Sequence, residues 1–185
     1  MSTDVASVVE EIHTIAADAE RVFGSLSPSQ LNWKPSAERW SVGQCFDHLI
    51  TTNLTYLPII DSVIAGKKQS NVWQKLPVLP GMWGKLLLKF LDPASTRKVK
   101  APKKFEPAQS DINGSIIHDF VAHQSLVAEK MQSTANLDPA RIVITSPASS
   151  MVAYSLMDAY RIIAVHERRH FQQAQRVTEE SGFPT

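Results

Sequence analysis

Residues 161–177 read RIIAVHERRHFQQAQRV, and residues 166–170 within them form the pattern H-E-x-x-H. Histidines four positions apart on an α-helix project from the same face, so His166 and His170 are placed to bind one metal ion together. Apolar residues recur at helical spacing on that face, at Leu156, Tyr160, Ile163, Ala174 and Val177. The pattern predicts a long amphipathic helix over about residues 152–180, with both histidines on its inward face.

Three other segments show the same helical periodicity, over about residues 5–23, 41–66 and 112–135. Residues 136–150 could hold a short extended piece, but no segment shows a repeating alternation of the kind that predicts strands. Four long amphipathic helices without strands predict an all-α four-helix bundle, formed by a single domain over residues 1–185. A long irregular connection, which holds a short amphipathic helix at about residues 83–91, separates helices 2 and 3.

The start of the second helix is marked by local sequence signals. Ser41 and Gln44 have the spacing of a capping box, in which each side chain binds the other residue's backbone N–H. Trp40 and Cys45 occupy the positions of a hydrophobic staple around this cap. Pro58 is expected to bend or interrupt the helix further along.

A third metal ligand is needed if His166 and His170 form a site. His48 is the best candidate, because it lies in the middle of the apolar face of helix 2. In an antiparallel pairing, the first turns of helix 2 can lie level with the later half of helix 4. His123, on the apolar face of helix 3, is a rival or a fourth ligand. The alternative for each is a histidine that forms hydrogen bonds in the core, but three inward histidines on two helices favour a metal.

The H-E-x-x-H pattern is also typical of zinc peptidases, but the rest of the chain does not fit that class. The longer peptidase pattern requires Gly and His where this sequence has Gln173 and Arg176. A downstream glutamate ligand would have to be Glu179 or Glu180, on the same helix. Glu167 is then either a solvated acid on the helix surface or a base near the metal.

Composition narrows the function further. The chain has 185 residues, 43% of them hydrophobic, and a net charge of +1, which gives no general attraction to nucleic acid. The basic stretch 97–104 is interpreted as a solvated loop, with attraction of an anionic substrate as the alternative. Cys45 is the sole cysteine, and the first residues lack the pattern of a signal peptide, so a cytoplasmic protein that neither enters nor crosses a membrane is expected.

The sequence resembles the DinB-like superfamily, also called DinB/YfiT-like metalloenzymes. The resemblance rests on WSVGQCFDHL at residues 40–49, VKAPKKFEP at 99–107 and HERRHFQQAQRV at 166–177, and it extends over nearly the whole chain. It implies a four-helix bundle with a nickel or zinc ion held by three histidines. Matched position by position, those histidines are His48, His166 and His170, the trio that helical phase also indicates.

The resemblance also implies an activity. Members with known activities depend on low-molecular-weight thiols, so the expected function is S-transfer to a small-molecule substrate. A metal-dependent hydrolase and a non-enzymatic, metal-holding or stress-related bundle are the alternatives. Many relatives have Glu at the position of Gln44, which puts a base at that position in doubt, whereas Gln173 matches a frequent glutamine and is expected to support a ligand or pack the helix.

Two further expectations concern Cys45 and assembly. A helix N-terminus can lower the pKa of a cysteine, but Cys45 lies past the free N–H groups and faces the core, so a structural role is expected.

A homodimer is expected from the resemblance and from apolar residues in the irregular connection, namely Trp73, Trp83 and Phe90.

Overall fold

The computed structural model describes residues 3–67, 79–91, 103–108 and 111–185. The elements in chain order are α1 (Thr3–Phe23), α2 (Pro28–Asn32), α3 (Val42–Leu54), α4 (Leu57–Ile64), α5 (Leu79–Phe90), a 3₁₀ turn (Lys103–Phe105), α6 (Ile116–Gln132), a second 3₁₀ turn (Ala135–Leu137), β1 (Val143–Ser146), β2 (Ser149–Ser155) and α7 (Leu156–Thr178). The described chain is therefore mostly helical, as the sequence predicted.

The longest helices pack along one another. Both α1 and α3 lie against α6 and α7. An ion pair joins Arg39, just before α3, to Glu180, just after α7. At the other end, the hydroxyl groups of Tyr56 and Tyr154, which follow α3 and precede α7, lie 2.8 Å apart. Helices α3 and α7 therefore run antiparallel, the arrangement that the third-ligand argument required.

Apolar side chains from these helices fill two core clusters. One contains Phe23, Phe46 and Phe120, whose rings pack edge to face, as do those of Phe23 and Phe171. The other surrounds the first half of α7 and includes Tyr154 of β2. Burial of these faces against one another is the main force that holds the helices together.

Residues 143–155 correct the prediction of an all-α chain. They form an antiparallel hairpin in which Val143 pairs with Ser155 and Ile144 with Tyr154. Ile144 and Tyr154 are fully buried, so the hairpin contributes to the core, and α5 packs on β2. Because β2 continues to Ser155, α7 begins at Leu156 rather than near residue 152. Strands this short have too few alternating positions to be distinguished from a loop by sequence pattern.

The interruption predicted near Pro58 is confirmed, because a turn at Thr55 and Tyr56 divides the second helix into α3 and α4. Two other helices differ from prediction. Helix α6 begins at Ile116, four residues later than predicted. The short helix α2 was not predicted, although Ser27 and Gln30 form a capping box at its start.

Parts of the irregular connection lie outside the described residues, and these include Trp73 and residues 97–102 of the basic stretch. The short helix predicted there is present as α5. None of the described helices combines the length and apolar character needed to cross a lipid bilayer.

The capping box at the start of α3 is confirmed. The hydroxyl of Ser41 accepts from the backbone N–H of Gln44 at 3.1 Å, and the amide oxygen of Gln44 accepts from the N–H of Ser41 at 3.2 Å. We predict that Ser41→Ala lowers the free energy of unfolding by about 1 kcal/mol, because a buried N–H group loses its acceptor. Denaturant unfolding followed by circular dichroism measures this change. Ser36→Ala, in an exposed loop, is the control, and an equal effect of both substitutions would contradict the prediction.

Candidate metal centre

Three histidines meet between α3 and α7. His48 of α3 and His166 and His170 of α7 each offer one ring nitrogen, and these nitrogens lie within 4.8 Å of one another. The ring centroids are 5.0 Å apart for His48 and His166 and 4.6 Å apart for the other two pairs. The side chains that the sequence placed on inward faces are thus brought together, in a cluster that could hold a metal ion.

The spacing of the nitrogens fits a shared cation. Nε2 of His48 lies 3.2 Å from Nε2 of His166. Two imidazole nitrogens bound to one zinc ion at 2.0–2.1 Å with tetrahedral angles are about 3.3 Å apart. Nδ1 of His170 is buried and has no hydrogen-bond partner among the described residues. The donor set and the unpartnered nitrogen are therefore both compatible with a divalent metal.

A backbone carbonyl orients His48. Nδ1 of His48 lies within hydrogen-bonding distance of the carbonyl oxygen of Phe105, in the 3₁₀ turn before α6, and donates its proton to that oxygen. The neutral ring then carries its lone pair on Nε2, the nitrogen that faces His166. Gln44 helps to hold the same segment, because its amide donates to the carbonyl of Ala108 at 2.9 Å.

The surroundings keep the three rings neutral. Burial, together with the nearby His48 and the charge of Arg169, lowers the pKa of His166 to about 3. Burial also lowers the pKa of His48, against an opposing effect of its hydrogen bond to Phe105. The pKa of His170 is lowered well below its ordinary value by burial and by the other two histidines. Neutral imidazoles have the free lone pairs that metal binding requires.

Two residues that the sequence analysis did not assign to the site lie beside it. The ring of Trp40 stacks on that of His170 with centroids 5.5 Å apart, and it lies 4.9 Å from the ring of His48. Arg169 lies on the same helix as His166 and His170, and its charge acts on both. Trp40 therefore covers one side of the cluster, and Arg169 makes its surroundings more positive.

The remaining candidates fall at different distances from the cluster. Gln173 lies within reach of His170, on whose pKa it has a small raising effect. His123 is half-buried and is not part of the three-histidine cluster. Its neighbour Gln124 is fully buried, so His123 lies at the edge of the buried face of α6 rather than at its centre. Gln44 is occupied by the capping box and by Ala108.

Glu167 is not the solvated surface acid that was one of its two predicted roles. Its side chain is fully buried, and Oε1 accepts a hydrogen bond from Asn53 of α3 at 2.7 Å. Burial raises the pKa of Glu167 to about 7. A single buried acid on a helix surrounded by charged residues gives no sequence signal that separates it from its exposed neighbours.

The fold and the three-histidine cluster together define a helical protein with a potential metal centre. Comparison with known proteins identifies the family: residues 11–174 match the DinB superfamily, and the chain belongs to it. The chain is 28% identical over 160 residues to the uncharacterised protein YuaE of Bacillus subtilis (strain 168), an alignment that covers 84% of this chain and 87% of that protein. No solved structure matches the chain.

Cys45 is fully buried, and burial raises the pKa of its thiol to about 12. We predict that a thiol-specific aromatic disulfide modifies Cys45 in the native protein at least about a hundredfold more slowly than in denaturant, because the thiolate is the reactive form. Stopped-flow absorbance measures both rates, with free cysteine as the control for the reagent. Rapid native modification would contradict the structural role of this residue.

Proposed function

We propose that His48, His166 and His170 hold one divalent ion, zinc or nickel, and that the protein is a metal-dependent enzyme acting on a small molecule. The reaction we propose is S-transfer with a low-molecular-weight thiol as cosubstrate. The observation that carries this proposal is the convergence of three neutral imidazole nitrogens, without a carboxylate among them in the described part of the chain.

Three neutral ligands do not cancel the charge of a divalent ion. The chemistry that such an ion supplies is a lowered pKa of a thiol or water molecule that reaches it, together with polarisation of an electron-rich substrate. Arg169 adds positive charge beside His166 and His170, which favours an anionic cosubstrate.

The residues of the chain orient and shield the site. The carbonyl of Phe105 fixes the ring of His48, and Trp40 excludes water from one side of His170. The protein's own thiol cannot be the nucleophile, because Cys45 is buried and its pKa is raised. A thiol that takes part in the reaction must therefore come from outside the chain.

The two alternative functions require groups in other places. A hydrolase of this type commonly uses a carboxylate beside the metal as general base, but the carboxylate of Glu167 turns toward Asn53. A purely structural site is usually closed by a fourth protein ligand, and His123 does not join the other three. Both observations favour thiol transfer over the alternatives.

Several broader features belong to the same proposal. We propose that α1, α3, α6 and α7 act as a four-helix bundle within one domain over residues 1–185, and that the protein works in the cytoplasm without nucleic-acid or membrane partners.

We also propose that the protein forms a homodimer. Its support is one face of α5, on which Met82, Leu86 and Phe90 are spaced four residues apart and are 48%, 51% and 42% exposed.

Removal of any one of the three histidines is expected to weaken metal binding at least about tenfold, because a chelate loses one of its three arms. Calorimetric titration of the metal-free protein with zinc and nickel measures the affinity of His48→Ala, His166→Ala and His170→Ala. His13→Ala and His118→Ala are matched controls, since both histidines are exposed. Unchanged affinity in a variant that lacks all three ligands would place the metal elsewhere.

Activity is tested with a low-molecular-weight thiol and an electrophilic chloro-dinitroarene. We expect turnover by the metal-loaded protein, loss of turnover in His48→Ala and its retention in Cys45→Ala. The reverse pattern would show that the protein's own thiol carries the chemistry. Metal-dependent cleavage of an ester or amide, without turnover of any thiol, would identify a hydrolase.

Assembly is tested by light scattering at micromolar concentrations. The proposed dimer should have twice the mass of the 20.5 kDa chain. Leu86→Lys places a charge on the exposed face of α5 and should produce monomers. Lys85→Glu, a change at an exposed position beside that face, is the control. A monomer in the unmodified protein would refute the proposal.

A further inference from the structure

A second group of polar side chains lies in the interior, outside the three-histidine cluster. It consists of Thr52 and Asn53 of α3, Gln124 of α6 and Glu167 of α7. Asn53 is 1% exposed, and Gln124 and Glu167 are 0% exposed. The amide of Asn53 donates to Oε1 of Glu167 at 2.7 Å, and Gln124 lies beside the same carboxylate. We refer to the three of these residues that are almost fully buried, Asn53, Gln124 and Glu167, as the polar core.

The polar core and the histidine cluster join the same two helices. Glu167 is the next residue after His166 on α7, and Asn53 follows His48 by five residues on α3. Five residues of an α-helix rise by about 7.5 Å, so the two contacts are separated along α3, whereas on α7 they start from adjacent residues. Consecutive residues on a helix differ by about 100° in direction, so the hydrogen bond of Glu167 constrains the rotation of α7 about its own axis.

Apolar packing alone does not define that rotation sharply. Ridges of side chains fit grooves over a range of crossing angles, and neighbouring packings of similar residues differ little in free energy. A buried hydrogen bond has a narrow range of allowed distances and angles, and a partner left without it is strongly disfavoured. The contact between Asn53 and Glu167 therefore selects one packing of α7 against α3.

We propose that Asn53 and Glu167 are positioning residues that fix the rotation of α7, so that the rings of His166 and His170 meet His48. The proposal rests on the proposed metal site and assigns to the polar core the role of setting its geometry. Glu167 acts through the helix backbone and the adjacent His166. It does not need to contact the metal or the substrate.

A positioning role differs from a stabilising role in a measurable way. Thr52, Asn53, Gln124 and Glu167 each have at least one buried polar atom without a hydrogen-bond partner among the described residues. Such atoms oppose folding, and buried polar groups can often be replaced by apolar ones of similar volume without loss of stability. If the polar core sets the geometry of the three histidines, replacing it with apolar side chains will weaken metal binding. The metal-free variant should nevertheless unfold at a denaturant concentration similar to, or higher than, that of the unmodified protein.

The test compares Glu167→Leu, Glu167→Gln and the double variant with Asn53→Leu and Glu167→Leu. Calorimetry measures their affinity for zinc, the visible spectrum of bound Co²⁺ reports the ligand geometry, and denaturant unfolding of the metal-free protein reports stability. The double variant replaces both partners of the hydrogen bond, so neither the amide of Asn53 nor the carboxylate of Glu167 is left alone in the interior. It therefore tests the positioning role even if Glu167→Leu alone does not fold. Tyr160→Phe is the matched control, because it removes a buried hydrogen bond between α7 and Thr134 and leaves α3 untouched.

We expect the apolar variants to bind zinc at least about tenfold more weakly than the unmodified protein, with an altered Co²⁺ spectrum. Glu167→Gln keeps the acceptor for Asn53 and should restore both affinity and spectrum. Tyr160→Phe should change stability alone. Unchanged affinity and spectrum in the folded double variant would overturn the proposal. So would a folded Glu167→Gln variant that binds zinc as weakly as Glu167→Leu, because the hydrogen bond to Asn53 would then not set the geometry of the histidines.

A second measurement does not depend on metal binding. In the metal-free protein labelled with ¹⁵N-histidine, the apolar variants should shift the ring signals of His48, His166 and His170, and leave those of the exposed His13 and His118 unchanged. If the unmodified protein binds no metal, the proposed function fails, and these signals still decide the positioning role. Unshifted signals in the double variant would overturn it.

Discussion

Two imidazole rings are buried, those of His48 and His170, and the ring of His166 is partly buried, where α3 packs antiparallel against α7; this burial is the constraint that the surrounding structure must satisfy. A ring nitrogen that is shielded from water needs a partner from the protein or from a cation. The carbonyl of Phe105 satisfies one nitrogen of His48. The facing nitrogens of His48 and His166 can share at most one proton, or can direct both lone pairs at a metal ion. The helix pairing therefore creates a site that is completed most simply by a cation.

The charges around the site determine which chemistry it can support. The cluster contains no carboxylate in the described part of the chain, and Arg169 lies near enough to act on two of the rings. A cation held here would keep its charge and attract an anionic partner. The buried acid of the same helix, Glu167, turns toward Asn53 instead. Adjacent positions on α7 thus serve two purposes, with the histidines directed to the site and the glutamate to the packing of the helices.

Helical periodicity was sufficient to predict the long helices and the convergence of His48, His166 and His170, because inward faces at 3.6-residue spacing must meet in the core. It did not predict the hairpin at residues 143–155, since strands this short carry little pattern. It left two roles open for Glu167, of which the solvated surface acid is wrong, because that side chain is buried against Asn53 and Gln124 of two other helices. Contacts made by the backbone, such as the carbonyl of Phe105, leave no trace in residue identity. His123 lies at the edge of the buried face of α6, beside the fully buried Gln124, and periodicity alone does not separate the edge of a face from its centre.

The most direct test of the account is X-ray absorption spectroscopy at the metal edge of the zinc- or nickel-loaded protein, before and after addition of a low-molecular-weight thiol. The account predicts three imidazole ligands in the unmodified protein and the loss of one in His170→Ala. It further predicts that a sulfur atom enters the coordination shell when the thiol is added, in Cys45→Ala as in the unmodified protein. A shell without imidazole, or one that the thiol leaves unchanged, would contradict it.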